Sequence, residues 1–180
     1  AVNLSAPQFD KDRIVDVVTS SLAETGLLPG RLELEITESL LIERPDDVLA
    51  TLMRLKELGV SIAMDDFGTG YSSLSYLLKF PFDKIKIDKS FISAIDHDKA
   101  ACDVLRTIGS LGKTLGIRIT AEGVETEEQV TFLRAIACDQ LQGYFFAKPL
   151  DSSGVATFLL GNAAQRLKTA ETNTPSSKAA

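Results

Sequence analysis

The sequence predicts an α/β protein whose parallel strands form an incomplete barrel, with about six of the eight β/α units that a closed barrel contains. Short apolar strands alternate with amphipathic helices along the 180 residues, a pattern typical of a parallel sheet with crossover helices. Apolar and polar residues also alternate within the strands. A sheet covered by helices on both faces has strands that are apolar throughout, so this alternation favours a TIM-like (β/α) barrel.

Six segments are predicted to be strands. The first ends at Ser5, and the others span residues 31–37, 60–66, 83–88, 117–122 and 139–142. Because the chain opens inside the first of them, we expect it to be truncated at its N-terminus. Predicted helices lie between the strands, at residues 10–25, 45–58, 100–115 and 127–137, with shorter helical turns at 73–78 and 89–95.

Composition divides the chain into two predicted segments. Residues 1–160 carry the regular pattern of strands and helices and are expected to form one domain. Residues 161–180 shift to Ala, Thr, Ser, Asn and Lys, a composition that cannot bury much apolar surface, so we expect a flexible C-terminal tail.

Successive side chains of a strand point to opposite faces, and this parity sorts the residues of each strand. In the second strand, Leu34 and Ile36 share one face and Glu33 and Glu35 share the other. The apolar face is expected to meet the helices and the polar face to line the barrel interior. The last polar residues of the strands, which lie nearest the C-terminal rim where barrel active sites sit, are Asn3, Glu35, Asp65 with Asp66, Lys86 with Asp88, Glu122 and Gln142.

So many carboxylates at one rim would repel one another unless they are protonated or hold metal ions. A carboxylate that caps a helix or pairs with a lysine is the ordinary explanation for any one of these residues, but not for all of them at the same end of successive strands. Oxygen-only ligands suit Mg²⁺, Mn²⁺ or Ca²⁺. The sequence therefore predicts a divalent metal site at the rim.

Composition limits the partners. A net charge of −6 disfavours duplex nucleic acid and anionic membranes, which require clustered Lys and Arg. Apolar runs stay well short of the roughly 20 residues that span a bilayer, and no secretory signal is recognised at the start. We therefore expect a soluble, cytoplasmic protein whose Cys102 and Cys138 are reduced and buried. His97 lies in a charged stretch and is predicted to be a surface loop residue rather than a metal ligand.

Six short motifs then follow one another along the chain: residues 2–5 (VNLS), 32–39 (LELEITES), 65–74 (DDFGTGYSSL), 86–88 (KID), 121–126 (AEGVET) and 142–144 (QGY). In order and spacing they resemble the motifs of the EAL domain family. The resemblance covers the chain to about residue 160. It implies a modified barrel that hydrolyses cyclic di-GMP to the linear dinucleotide pGpG with Mg²⁺ or Mn²⁺, in bacterial second-messenger signalling.

The resemblance also implies roles for individual residues. Asn3, Glu35 and Asp65 resemble the ligands of one metal, and Asp65 would bridge to a second ion that Asp66 also holds. The remaining matches are Lys86, which contacts the attacking water or the phosphate; Glu122, as general base or partner of the second metal; Asp88, Glu125 and Gln142, as substrate-binding or supporting residues; and Glu38, which anchors the loop after Asp66.

Some alternatives stay open at this point. Lys86 could form a salt bridge to Glu122 or Asp88 without a catalytic part, and the role of Glu122 as base or as ligand is not separated by sequence. The Glu-Ala-Leu motif that names the family is absent, together with two strands, so we expect an open sheet and a deficient first metal site in the isolated chain. Whether this chain by itself is active is left open.

The sequence is compatible with three functions. The first is a cyclic di-GMP phosphodiesterase, the second a non-catalytic cyclic di-GMP-binding or protein-interaction module, and the third an unrelated metal-dependent barrel enzyme. Retention of the rim carboxylates favours the enzyme for the parent protein. The resemblance is also compatible with a homodimer formed near the loop at residues 66–74, and with an upstream sensory or GGDEF domain.

Overall fold

Six parallel strands form one sheet whose spatial order follows the chain. The computed structural model describes residues 1–43, 45–68 and 74–161. The strands are β1 (Val2–Leu4), β2 (Glu33–Thr37), β3 (Ser61–Phe67), β4 (Lys84–Ile87), β5 (Arg118–Ala121) and β6 (Gln140–Leu141). Each strand pairs in parallel with the next one in sequence. This sequential parallel order is that of a barrel wall, and the predicted α/β class is confirmed.

Helices connect the strands. They are α1 (Arg13–Thr25), α2 (Glu38–Glu43), α3 (Pro45–Glu57), α4 (Leu74–Lys79), α5 (Lys89–Ser93), α6 (Lys99–Leu115) and α7 (Glu127–Ala135). Short 3₁₀ helices at Ala6–Asp12 and Pro29–Arg31 precede α1 and β2. A further helix, α8, covers residues 152–161.

Two helices were not predicted. The first, α2, begins at the residue after β2 ends, so no polar turn marks the change, and six residues are too few to display a helical period. The second, α8, ends at residue 161, the first residue of the predicted tail. The start of the first predicted helix also differs, because residues up to Asp12 are 3₁₀ helix and α1 begins at Arg13.

The hydrophobic core lies between the outer face of the sheet and the helices. The apolar side chains that parity placed there pack under the helices, and many are fully buried. Burying each such side chain stabilises the fold by roughly 1.5–3 kcal/mol. Those of the strands are Leu34, Ile36, Ile62, Met64, Ile85, Ile87 and Ile119, and those of the helices are Leu41, Leu52, Leu55, Ile92 and Leu105.

The inner face of the sheet is polar, as parity predicted. Lys84 Nζ lies 2.7 Å from Glu33 Oε2, and both side chains are largely buried. These two residues lie on β4 and β2, which are separated by β3, so the ion pair must cross β3. It can do so because Ala63 of β3, which pairs in register with Lys84, has a small side chain. Ion pairing across the interior satisfies charges that a sheet with two apolar faces could not accommodate.

Residues 1–146 form one compact unit that contains the whole sheet, and residues 147–161 belong to a second unit. In that second unit Asp151 Oδ1 accepts hydrogen bonds from Gly154 N and Ser153 Oγ at the start of α8. The predicted tail beyond residue 161, and most of the loop at residues 67–73, lie outside the described residues.

The cysteines are free, but half-buried rather than buried as predicted. Cys102 lies in the first turn of α6, and its thiol donates to Ile95 O. Cys138 lies in the connection between α7 and β6, and its thiol donates to Ile119 O and Gln140 O. His97 is exposed in a turn between α5 and α6, as predicted. Over the described ranges, no helix combines the length and the apolar character that crossing a membrane requires.

Candidate active site

The centre of the site is the ammonium group of Lys86, which three carboxylates surround. Its Nζ lies 2.7 Å from Glu35 Oε2, 3.0 Å from Asp65 Oδ1 and 2.8 Å from Glu122 Oε1. The Lys86 side chain is only 8% exposed. The carboxylates come from β2, from β3 and from the residue after β5, so three chain segments far apart in sequence meet at one point. Sequence parity predicted this convergence.

The register of the sheet explains why these side chains meet. Glu35 pairs with Ala63, and Lys86 pairs with Thr120, which places them on the inner face near the carboxyl ends of their strands. A methyl group at Ala63 leaves room for the long Lys86 side chain to reach Glu35 across β3. The same small residue therefore serves both ion pairs that cross the interior, the Lys84–Glu33 pair below and the Lys86–Glu35 pair at the rim.

The charges of this cluster do not balance. Fully ionised, three carboxylates against one ammonium leave an excess of two negative charges. Burial opposes the charged form of Lys86, but hydrogen bonds to Glu122, Glu35 and Asp65 outweigh burial and raise its pKa above the ordinary range. Lys86 therefore stays a cation, and the site as a whole still attracts positive charge.

A β-bulge turns β3 at Asp65 and Asp66. Met64 pairs with Ile85 and Phe67 pairs with Ile87, so β3 has one residue more than β4 between these pairs. Asp66 has φ 54°, a conformation that few residues other than glycine adopt. Burial, and then the charges of Asp65 and Asp88, raise the pKa of Asp66, while Lys86 lowers it. Bulges commonly re-aim side chains beside active sites, and this one presents two adjacent carboxylates to the rim.

A cavity of about 270 Å³ opens beside the Lys86 cluster. Gln142 lies at its edge, where its backbone N–H donates to Ala121 O and its carbonyl oxygen accepts from Val124 N. The tight backbone contact between Gly143 and Val124 would exclude any side chain at Gly143. The cavity is lined by Asp88, Lys89, Glu122, Gly123, Glu125, Gln142, Gly143 and Tyr144. Three predicted site residues, Asp88, Glu125 and Gln142, thus share one cavity with Glu122.

Asn3 lies beside Glu35 in the sheet, whereas Glu38 follows the end of β2. Asn3 of β1 pairs in register with Glu35, on the same face of the sheet, and is exposed. Glu38 is the first residue of α2 and is 4% exposed. Its predicted role as a loop anchor concerns a loop that lies mostly outside the described residues.

The donors at the rim fit a divalent cation in their chemistry. They are all oxygen atoms, which suit hard cations such as Mg²⁺, Mn²⁺ and Ca²⁺, and they carry negative charge in excess. Within residues 1–43, 45–68 and 74–161, however, no three His, Cys, Asp or Glu side chains already form a metal cage. The Glu35, Asp65 and Glu122 carboxylates are directed at Lys86 instead, so a cation at this point would share them with Lys86.

The alternation of side chains along the strands predicted the charged residues of the site, but neither the role of Ala63 nor the bulge. Ala63 could have been found as the small side chain on the polar face between two charged strands. The bulge leaves no mark in the sequence, because Asp65 and Asp66 read as an ordinary end of a strand.

Fold and site together define the class of protein: a barrel-type α/β domain with a lysine-centred carboxylate cluster at the C-terminal ends of its strands. The family model for the EAL domain matches residues 1–149. This match covers most of the chain, so the chain belongs to the EAL domain family, whose solved members are TIM-like barrels.

Bacterial proteins contain regions similar to this chain. The bifunctional diguanylate cyclase/cyclic di-GMP phosphodiesterase MucR of Pseudomonas aeruginosa is 45% identical over 150 residues, which are 83% of this chain and 22% of MucR. The cyclic di-GMP phosphodiesterase NbdA of the same organism is 42% identical over 159 residues, which are 88% of this chain and 20% of NbdA. The chain thus spans about a fifth of the length of the curated relatives it matches.

Solved structures resemble it closely. The PaMucR phosphodiesterase in complex with c-di-GMP has a TM-score of 0.81 and 43% identity, and the match covers 85% of this chain and 62% of that one. Klebsiella pneumoniae BlrP1, in a manganese/cy-diGMP complex, has a TM-score of 0.76 and 33% identity, with 82% of this chain and 38% of that one covered. The manganese in that complex supports binding of a divalent metal by proteins of this kind.

Proposed function

We propose that the protein carrying this chain hydrolyses cyclic di-GMP to linear pGpG and depends on Mg²⁺ or Mn²⁺. The observation that carries the proposal is the gathering of Glu35, Asp65 and Glu122 around Lys86, with Asp66 adjacent, in a chain of the EAL family. Relatives named as cyclic di-GMP phosphodiesterases and a neighbour solved with c-di-GMP support the substrate. A neighbour solved with manganese supports the cofactor.

In this proposal Asn3, Glu35, Asp65 and Asp66 hold the cations. Bound divalent ions neutralise the phosphoryl oxygens and lower the pKa of water, so that a nucleophile is available at neutral pH. The residues of the chain prepare this chemistry by bringing oxygen donors from three strands to one rim. The β-bulge contributes by placing two neighbouring carboxylates, those of Asp65 and Asp66, at the end of β3.

Lys86 is proposed to stabilise negative charge on the phosphodiester as it reacts. A fixed ammonium group in a site shielded from water is worth more than the same charge in bulk solvent. Its hydrogen bonds to Glu35, Asp65 and Glu122 fix the position of this charge before substrate arrives. Glu122 borders both Lys86 and the adjacent cavity, a location that suits either a general base or a ligand.

The cavity beside the cluster is proposed to receive part of the substrate. Asp88, Glu125 and Gln142 supply hydrogen-bond acceptors and donors along its wall, and Tyr144 supplies an exposed aromatic ring. The domain is further proposed to act in the cytoplasm within a longer signalling protein, together with a sensory or GGDEF domain. The bifunctional relative MucR and the short share of each relative that this chain spans support that arrangement.

The competing function is a receptor that binds cyclic di-GMP without turnover. It is favoured only by the arrangement of the carboxylates, which point at Lys86 rather than around a vacant centre. Tight binding of cyclic di-GMP to the full-length protein, without pGpG in the presence of Mn²⁺, would establish the receptor instead.

The deciding experiment incubates the full-length protein with cyclic di-GMP, once with Mn²⁺ and once with EDTA, and measures the pGpG formed by chromatography. We expect turnover in the reaction with Mn²⁺ and none in the reaction with EDTA. Asp65→Ala, which removes a carboxylate from the Lys86 cluster, should abolish it. His97→Ala changes an exposed turn residue outside the cluster and serves as the matched control, with turnover close to the unchanged protein. An Asp65→Ala protein with ordinary turnover contradicts the assignment.

A further inference from the structure

The short helix α5 follows β4 without a loop. Asp88 caps it, since the Asp88 carboxylate accepts a hydrogen bond of 2.9 Å from Ser90 N. Ile92, in the second half of the helix, is fully buried in the core. The helix is therefore fixed at both ends, one at the candidate site and one in the core, and its intervening residues have defined positions.

Two residues of α5 contact two glycines that flank it. A Cβ atom built on Gly68 would lie 2.6 Å from Cε2 of the Phe91 ring, and one built on Gly123 would lie 2.5 Å from Cβ of Lys89. Neither space admits a side chain. The backbone φ angles are 96° at Gly68 and 70° at Gly123, which only glycine adopts at low cost.

Both glycines stand directly beside site carboxylates. Gly68 is two residues after Asp66, just beyond the bulge of β3, and Gly123 follows Glu122 after β5. The strands on either side of β4 therefore pass close to α5 just after they deliver their carboxylates. A backbone hydrogen bond from Glu122 N to Ile87 O adds to the connection on one side.

We infer that Phe91 is a positioning residue for the carboxylates of the proposed active site, acting through Gly68. Its half-buried ring rests against the backbone at the end of the bulge and so sets the orientation of Asp65 and Asp66 relative to Lys86. Lys89 does the same for Glu122 through Gly123. The inference rests on the proposed function, because it assigns to α5 the spacing between groups that hold cations and substrate.

Misplacing a catalytic group by about 1 Å can lower a rate by about a hundredfold. Replacing Phe91 by alanine removes the ring that supports Gly68, so we expect kcat to fall by about tenfold to a hundredfold with little change in KM for cyclic di-GMP. The Kd for Mn²⁺, measured by electron paramagnetic resonance of the free ion, should rise by about tenfold, because Asp65 and Asp66 lose their common orientation.

The control is Phe132→Ala on α7. Phe132 is also a partly buried phenylalanine packed against the core, and its ring contacts the Arg106 guanidinium at 5.2 Å. It lies on a different helix, away from the two glycines. Its loss should lower the thermal midpoint to a similar extent and leave both kcat and the Kd for Mn²⁺ unchanged in the folded protein. Phe91→Leu, which restores most of the side-chain volume, should recover much of both quantities.

All measurements use the full-length protein, with the folded fraction determined for each variant. If Phe91→Ala and Phe91→Leu both keep the Mn²⁺ affinity and kcat of the unchanged protein, or if Phe132→Ala alters them equally, the positioning role is wrong. Should Phe91→Ala fail to fold, Phe91→Val takes its place: we expect a lower kcat and a weaker affinity for Mn²⁺ than Phe91→Leu shows, and values equal to those of the unchanged protein refute the positioning role. An unchanged protein that neither binds Mn²⁺ nor forms pGpG refutes the proposed function, and the inference falls with it. A protein that does both, while its Phe91 variants do not differ from it, refutes the inference alone.

Discussion

Replacing Lys86 by methionine removes the one cation of the rim cluster while keeping a long, flexible side chain. In the unchanged protein, the carboxylates of Glu35, Asp65 and Glu122 lie within 3.0 Å of Lys86 Nζ. Their side chains are 9%, 14% and 21% exposed, respectively. Without Lys86 they face one another in a poorly hydrated space. Removing one partner of a buried ion pair costs about 3–5 kcal/mol. Because Glu122 can turn toward water, we expect a loss of about 3–4 kcal/mol in the free energy of unfolding.

Lys84→Met is the matched control for this substitution. Lys84 lies two residues earlier on the same strand and the same inner face, is equally buried, and pairs with one carboxylate, Glu33, which is 18% exposed. Because its single acidic partner, Glu33, can turn toward water, the loss of Lys84 should cost less than the loss of Lys86, about 1–3 kcal/mol. The difference between the two variants thus measures the crowding of carboxylates at the rim, separately from the general cost of removing a buried lysine.

Urea unfolding followed by circular dichroism, with EDTA present, gives both free energies. Mn²⁺ should stabilise Lys86→Met by more than it stabilises the unchanged chain, because the added cation replaces the missing one. A Lys86→Met chain within about 1 kcal/mol of the unchanged chain, or no less stable than Lys84→Met, would refute the reasoning.

Three further predictions concern single residues. Hydrogen bonds from Ser90 and from the Lys89 backbone outweigh burial and lower the pKa of Asp88. Asp88 therefore adds stability that is present above its unfolded pKa of about 3.8 and lost as pH falls through the lower folded value. Asp88→Ala should cost about 1 kcal/mol near neutral pH and almost nothing in strong acid; an equal cost in thermal unfolding at both pH values would contradict this. Burial raises the pKa of Cys138 to about 11 from 9.0, so its alkylation by iodoacetamide, followed by mass spectrometry, should be about a hundredfold slower than that of an ordinary thiol, and equal rates would overturn the assignment. Ala63→Leu should destabilise the chain by about 1–3 kcal/mol because it fills the space that the Lys84 and Lys86 side chains cross, whereas Ala135→Leu on the exposed face of α7 should change the free energy of unfolding by less than about 0.5 kcal/mol.

Local patterns predicted most of the secondary structure. The five strands whose first residue was predicted begin within two residues of that position, and β1 ends at Leu4, one residue before its predicted end. The alternation of apolar and polar residues explains this agreement, because few other structures produce its period. The element that was missed inside the sheet region, α2, has only six residues and begins directly after β2. The prediction that both cysteines are buried was wrong: Cys102 and Cys138 are half-buried. They lie near the ends of helices and strands, where apolar flanking residues do not guarantee burial.

The sequence also predicted only part of the candidate site. Parity placed Glu35, Asp65, Lys86 and Glu122 on one face, near one end of neighbouring strands, and the structure brings those four together. Parity did not indicate that Lys86 would be their common partner, nor that Phe91 would lie against Gly68. Those contacts join residues on different strands and helices, and they depend on the curvature of the sheet and on the bulge.

By itself, the sequence determined which residues line the interior of this sheet and which ends of the strands carry acidic groups, because the two-residue period of a strand and the shared direction of parallel strands are local properties. Only the tertiary structure decided how those groups are arranged. The bulge at Asp65 and Asp66, the small side chain of Ala63 and the packing of α5 against two glycines set the distances between carboxylates and lysine. Such distances depend on contacts between residues far apart in the chain, which no local pattern specifies.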